Sequence, residues 1–86
     1  MHMAHRILVV DDEQNAREGL TTILREEGYD VVEAADGEAG LEKLQHANPD
    51  AVLCDIKMPK MDGLELLRRA RGDGFDNLFL MVTAFG

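Results

Sequence analysis

Two short apolar runs in this chain end on aspartate, and that arrangement constrains the fold more than any other feature. Ala51-Val52-Leu53-Cys54 runs straight into Asp55, with a loop containing Pro59 beyond it, and Ile7-Leu8-Val9-Val10 stops abruptly at Asp11-Asp12-Glu13. Neither run alternates apolar with polar residues, which is the pattern of strands covered on both faces of a parallel sheet. An acid at the carboxyl end of such a strand sits where open α/β sheets bind ligands. An isolated buried charge is too costly to keep, so the carboxylate needs a partner.

The segments between the runs supply the other elements. Ala16, Leu20, Ile23 and Leu24 recur at i, i+4, i+7 and i+8, which predicts an amphipathic helix of about four turns stopped by Gly28. Tyr29 to Ala35, with Val31-Val32 at its centre, reads as a second strand. Asp36-Gly37 is a turn and helix cap, and Ala39, Leu41, Leu44 and Ala47 place a second helix up to Asn48-Pro49. Asp62 with Glu65 resembles a capping box for a third helix, whose predicted buried stripe is Leu64, Leu67 and Ala70. Arg68, Arg69 and Arg71 fall in its last turns, where positive charge suits the helix dipole. After Gly72-Asp73-Gly74, Leu78 to Val82 is a fourth apolar strand. The order β-α-β-α-β-α-β predicts a doubly wound parallel sheet with right-handed crossovers.

Eighty-six residues with a single cysteine, Cys54, fit one small domain in a reducing compartment. A net charge of −8 repels nucleic-acid phosphates, so no direct nucleic-acid contact is expected of this chain. No run approaches the roughly 18 apolar residues of a membrane span, and no signal peptide is recognisable, which places the chain in the cytoplasm and off the membrane. Residues 1–5, with a second methionine after a histidine, read as a cloning remnant, leaving residues 6–86 as the domain.

If both acid-tipped strands lie in the middle of one sheet, Asp11, Asp12 and Asp55 converge. Like charges at ~4 Å repel by about 4 kcal/mol per pair at an effective dielectric near 20, so the cluster asks for a cation. Oxygen ligands without histidine or cysteine favour Mg²⁺ or a similar ion. A divalent ion beside a carboxylate nucleophile is a setting for phosphoryl transfer. Taken singly, each of the three acids could equally be a helix cap or turn residue.

Val9 to Glu13, Leu53 to Gly63 and Met81-Val82-Thr83-Ala84 together resemble the motif segments of bacterial response-regulator receiver domains. That resemblance implies a flavodoxin-like sheet in the order 2-1-3-4. It implies Asp55 as the phosphoacceptor for a sensor histidine kinase, and Asp11, Asp12, Asp55 and the Lys57 backbone carbonyl as Mg²⁺ ligands. Thr83 matches the switch hydroxyl, Ala84 the small residue that gives the phosphoryl group access, and the first helix near Asn15 and Ala16 the kinase-facing surface. The ending Thr83-Ala84-Phe85-Gly86 is similar to receivers of the nitrogen-regulation type, which drive sigma-54 promoters.

A complete receiver continues through a fourth helix, a fifth strand and a fifth helix, and the fifth strand brings a phosphate-pairing lysine and an aromatic switch residue. The sequence stops at Gly86 and reads as a receiver truncated after its fourth strand, with phosphorylation in doubt. Three uncovered side chains on that strand, at ~1.5–3 kcal/mol each, leave a deficit of about 5–9 kcal/mol, comparable with the stability of a small domain. The expectation is a homo-oligomer or domain swap through Leu78–Val82. A Mg²⁺-dependent phosphatase is the enzyme alternative, but that class resembles Asp-x-Asp, and the second position here is Lys57.

Overall fold

The computed structural model describes residues 4–82; residues 1–3 and 83–86 lie outside the description. The elements follow the predicted order: β1 (Arg6–Val10), α1 (Gln14–Glu26), β2 (Asp30–Ala34), α2 (Gly37–Ala47), β3 (Ala51–Asp55), α3 (Gly63–Gly72) and β4 (Leu78–Val82). All strands are parallel, in the order β2-β1-β3-β4. The two acid-tipped strands are therefore the interior neighbours β1 and β3, with Val10 level with Cys54.

Successive side chains of a strand point to opposite faces, and this divides the core in two. Leu8 and Val10 of β1 join Val52 and Cys54 of β3 on one face, under Leu44 of α2 and Leu66 and Ala70 of α3. Ile7 and Val9 join Val31 of β2 on the other face, with Leu20 and Leu24 of α1 and Leu53 against them. Gly40 lets α2 lie close on β1, because a Cβ there would stand 3.2 Å from Leu66 Cδ2 and 3.3 Å from Val10 Cγ2. On β4, Phe79 and Met81 pack toward the first face, while Leu78, Leu80 and Val82 are 57%, 45% and 44% exposed on the other. The expected cover over both faces holds for β1, whereas β4 bares three apolar side chains, the number expected of a fourth strand without further cover.

Two helix faces differ from the predicted stripes by one position. On α1, Ala16 is exposed and Ile23 is 59% exposed, and the inward positions are Arg17, Leu20, Thr21 and Leu24. The rotation follows from Arg17, whose guanidinium bonds groups of β2 and the β1–α1 turn and draws that side of the helix inward. On α3, Leu64 is 54% exposed and the buried positions are Gly63, Leu66 and Ala70, with Leu67 half-buried. The adjacent leucines allow either stripe, and the packing of Gly63 against the end of β3 selects the one that is used. No helix among the described residues is long and apolar enough to cross a membrane.

Candidate functional site

Asp11 leaves β1 with its amide, its carbonyl and one carboxylate oxygen held. Its amide donates to the Ala34 carbonyl at the end of β2 (3.1 Å). Its own carbonyl accepts from Arg17 Nη1 (2.8 Å), and its Oδ1 accepts from the Glu13 amide (2.9 Å). The last contact is a side-chain turn of the kind expected of an aspartate after a strand. It still leaves the second carboxylate oxygen free.

The cap of α1 is Glu13, whose carboxylate accepts from the amides of Asn15 (3.2 Å) and Ala16 (2.7 Å). Glutamate is not among the residues usually chosen for this position. Turned into the helix end, it leaves the neighbouring acids to face elsewhere. Asp11, Asp12 and Asp55 each present a carboxylate oxygen, and these oxygens lie within 4.8 Å of one another. Three acids predicted to converge from two separate strand ends do so.

Crowding of negative charge leaves its mark on this cluster. Burial, aided by the charges of Asp55, Asp12 and Glu13, raises the Asp11 carboxyl above its ordinary value, against a lowering from its bond to the Glu13 amide. Cys54, fully buried under the first face, has its thiol pushed up to about 12 by burial and then by Asp55. It packs as a small apolar side chain, with the thiol donating to the Asp55 carbonyl (3.1 Å).

The loop after Asp55 is tied back to the strand it leaves. The Gly63 amide donates to the Ile56 carbonyl (2.8 Å), Met58 and Met61 are buried, and the Met61 amide donates to the Pro59 carbonyl (2.8 Å). Gly63 has no room for a side chain, since a Cβ there would stand 2.5 Å from the Asp55 carbonyl oxygen. Lys57, whose backbone carbonyl is expected to be a ligand, lies exposed on this loop. Asp62 caps α3 by accepting from the Glu65 amide (2.9 Å). The reciprocal half of a capping box is not made, because the Glu65 carboxylate pairs with Arg68 (2.8 Å) and Arg69 (2.9 Å). Thr83 and Ala84, the other predicted site residues, lie outside the described residues.

Sequence reading missed the polar support beneath the cluster. Arg17 on α1 and Glu33 on β2 form a half-buried ion pair (3.2 Å) on the second face. The available sign of it was positional: Glu33 shares a face of β2 with the buried Val31, two residues before it, and Arg17 stands at helical spacing from Leu20 and Leu24.

The chain is similar to known proteins over nearly its whole length. Residues 7–86 match the response regulator receiver domain family. The chain is 45% identical over 82 residues to the response regulator MprA of Mycobacterium tuberculosis, covering 95% of this chain and 36% of that protein. It therefore spans about a third of the length of the curated relatives it matches. Among solved structures it resembles the chemotaxis protein CheY4 of Vibrio cholerae (TM-score 0.92, 32% identity, 98% of this chain and 72% of that one). It also resembles the response regulator TrrA of Thermotoga maritima in complex with Mg²⁺ and BeF (TM-score 0.88, 44% identity, 95% of this chain and 71% of that one). With acids at the ends of its two central parallel strands and this family matched almost from end to end, the chain belongs to the response regulator receiver domains.

Proposed function

We propose that this chain is a phosphoacceptor module of two-component signalling, taking a phosphoryl group on Asp55 from a sensor histidine kinase with Mg²⁺, in the cytoplasm and without binding nucleic acid itself. The observation that carries this reading is the convergence of Asp11, Asp12 and Asp55 within 4.8 Å at the carboxyl ends of adjacent central strands. The donor set suits a hard divalent cation, since it is all oxygen and its charges repel one another. Asp11, Asp12, Asp55 and the Lys57 carbonyl are the groups that would hold it. When bound, such a cation neutralises phosphoryl oxygens and relieves the repulsion among the acids.

The chain's own residues then divide the work. A carboxylate oxygen of Asp55 attacks the phosphorus of the kinase phosphohistidine, forming an O–P bond as the P–N bond breaks. The electron pair leaves with the imidazole nitrogen, which takes a proton from solvent. The closed loop from Ile56 to Gly63 holds Asp55 at the strand end, so little reorganisation is needed at the moment of attack. In this reading Thr83, placed directly after β4, supplies the hydroxyl that turns toward the phosphoryl group, and Ala84 leaves room for it. Incubation with Mg²⁺ and acetyl phosphate should add one phosphoryl group by intact mass, and Asp55→Asn should abolish it. Uptake that survives this substitution would sink the assignment.

A second reading is favoured by β4, an edge strand with Leu78, Leu80 and Val82 exposed on one face. Unpaired strand edges with apolar faces are templates for intermolecular pairing. In this reading the 86-residue chain associates with a copy of itself through Leu78–Val82 and is impaired in phosphorylation. Sedimentation at micromolar concentration alongside the acetyl phosphate assay separates the two: an assembled chain without uptake supports the second, and a phosphorylated monomer rules it out.

A further inference from the structure

We propose that Arg17, held by Glu33, is a positioning residue for the cation site, gripping the backbone of Asp11 so that its carboxylate stays beside Asp12 and Asp55. The inference rests on the reading of the three acids as a Mg²⁺ site and adds the part that keeps them in place. Three carboxylates that repel one another tend to separate when no cation is between them. Asp11 is first in the turn after β1, where the sheet ladder no longer holds both of its backbone groups. Its amide still reaches Ala34, but its carbonyl depends on Arg17 Nη1 (2.8 Å).

The guanidinium is fixed in turn. Arg17 Nε donates to Glu33 Oε1 (3.2 Å), and the two side chains are 15% and 30% exposed. One planar fork thus spans a strand and a turn, which a lysine ammonium on a flexible stem cannot reproduce. Glu33 stands level with Val9 on the neighbouring strand, so the anchor lies on the framework that carries Asp11.

A clamp and a simple charge effect predict opposite signs. As a nearby positive charge, Arg17 would weaken cation binding, and removing it would tighten binding. As a clamp, its loss loosens the site and weakens binding. Mg²⁺ titration calorimetry on the full chain tests this, with thermal unfolding in EDTA followed for each variant. Arg17→Ala should raise the Mg²⁺ dissociation constant about tenfold, the lower end of what losing an outer-shell partner costs. Arg17→Lys should fall between Arg17→Ala and the unaltered chain. Glu33→Ala should weaken binding alone but add nothing in the Arg17→Ala background, because the two act as one unit.

Arg25→Ala is the control for a merely structural role. Arg25 Nη2 also donates from α1 to a β2 carbonyl, that of Val31 (3.2 Å), but at the far end of the helix from the acids. It should lower thermal stability and leave the Mg²⁺ dissociation constant unchanged. Unchanged or tighter binding in folded Arg17→Ala, or an equal loss in Arg25→Ala, overturns the proposal. Should Arg17→Ala not fold, Arg17→Lys decides: binding equal to that of the unaltered chain overturns the clamp, and weaker binding sustains it. If the unaltered chain binds no Mg²⁺, or binds it regardless of Asp12→Asn, the acid-site reading itself has failed.

Discussion

The two faces of the sheet are built to different standards. One lies under two helices, α2 and α3, and buries Leu8, Val10, Val52, Cys54 and Leu66 almost completely. Among the described residues the other lies under α1 alone, which packs on β1 and β2, so that Leu53 of β3 is half-buried and Leu78, Leu80 and Val82 of β4 are open. The acid cluster stands at the top of both. Its β3 side, with Asp55 and Gly63, rests on the well-covered face, whereas Asp11 is steadied from the thin face by Arg17 and Glu33. Apolar packing fixes Asp55, and a polar pair grips the acid beside it.

The largest expected effect lies in the covered core. Leu66→Ala removes a fully buried side chain and should cost about 2–5 kcal/mol, enough to unfold much of a small domain. Leu80→Ala makes the same chemical change on the thin face, and exposure should hold its cost below about 1 kcal/mol. Urea unfolding of the two variants checks the contrast. Equal losses would mean that the thin face is covered in solution, by a second copy or by further chain.

Gly63→Ala comes next. Its Cβ would collide with the Asp55 carbonyl oxygen, a backbone atom that cannot rotate away. Overpacking of this kind costs roughly 1–3 kcal/mol, and here the displaced backbone carries Asp55, the proposed phosphoacceptor. The variant should lose phosphoryl uptake from acetyl phosphate out of proportion to its loss of stability. Gly72→Ala, in the same helix with open space around the position, should alter neither by a comparable amount.

How much of this was legible in the sequence depends on the range of the interaction. Continuous apolar runs ended by acids gave β1 and β3, and their shared ending on aspartate was enough to bring Asp11, Asp12 and Asp55 together. The face of a helix was harder to read. Leu64, Leu66 and Leu67 support two stripes one residue apart, and only the tertiary fit of Gly63 decides between them. Ile23 suited the apolar spacing of α1 but lies on the outer side, since Arg17 takes an inward place that apolar periodicity would not give it. The Arg17–Glu33 pair spans separate elements, and charged residues in isolation read as solvated surface.

The smallest expected effect concerns charge within the cluster and has the clearest sign. Burial and neighbouring acids raise the Asp11 carboxyl above its ordinary value, so the folded chain binds a proton there more readily than the unfolded chain does. The stabilisation from that proton is present below the unfolded value and is lost as pH rises through the folded one. At neutral pH without a divalent cation, Asp11 therefore opposes folding. Asp11→Asn should raise the apo stability by about 1 kcal/mol, since solvent around these part-exposed acids screens most of the roughly 4 kcal/mol that a pair near 4 Å carries at an effective dielectric near 20. It should also remove that part of the pH dependence in the acid range. In Mg²⁺ the order should reverse, because the unaltered chain gains stability from binding and the variant has lost a ligand. Thermal unfolding of both chains in EDTA and in millimolar Mg²⁺, at neutral and at mildly acidic pH, reads all of these differences together. An Asp11→Asn chain less stable in EDTA would mean that the hydrogen bond from Glu13 outweighs the repulsion, and that the turn, rather than the charge cluster, sets the ionisation of Asp11.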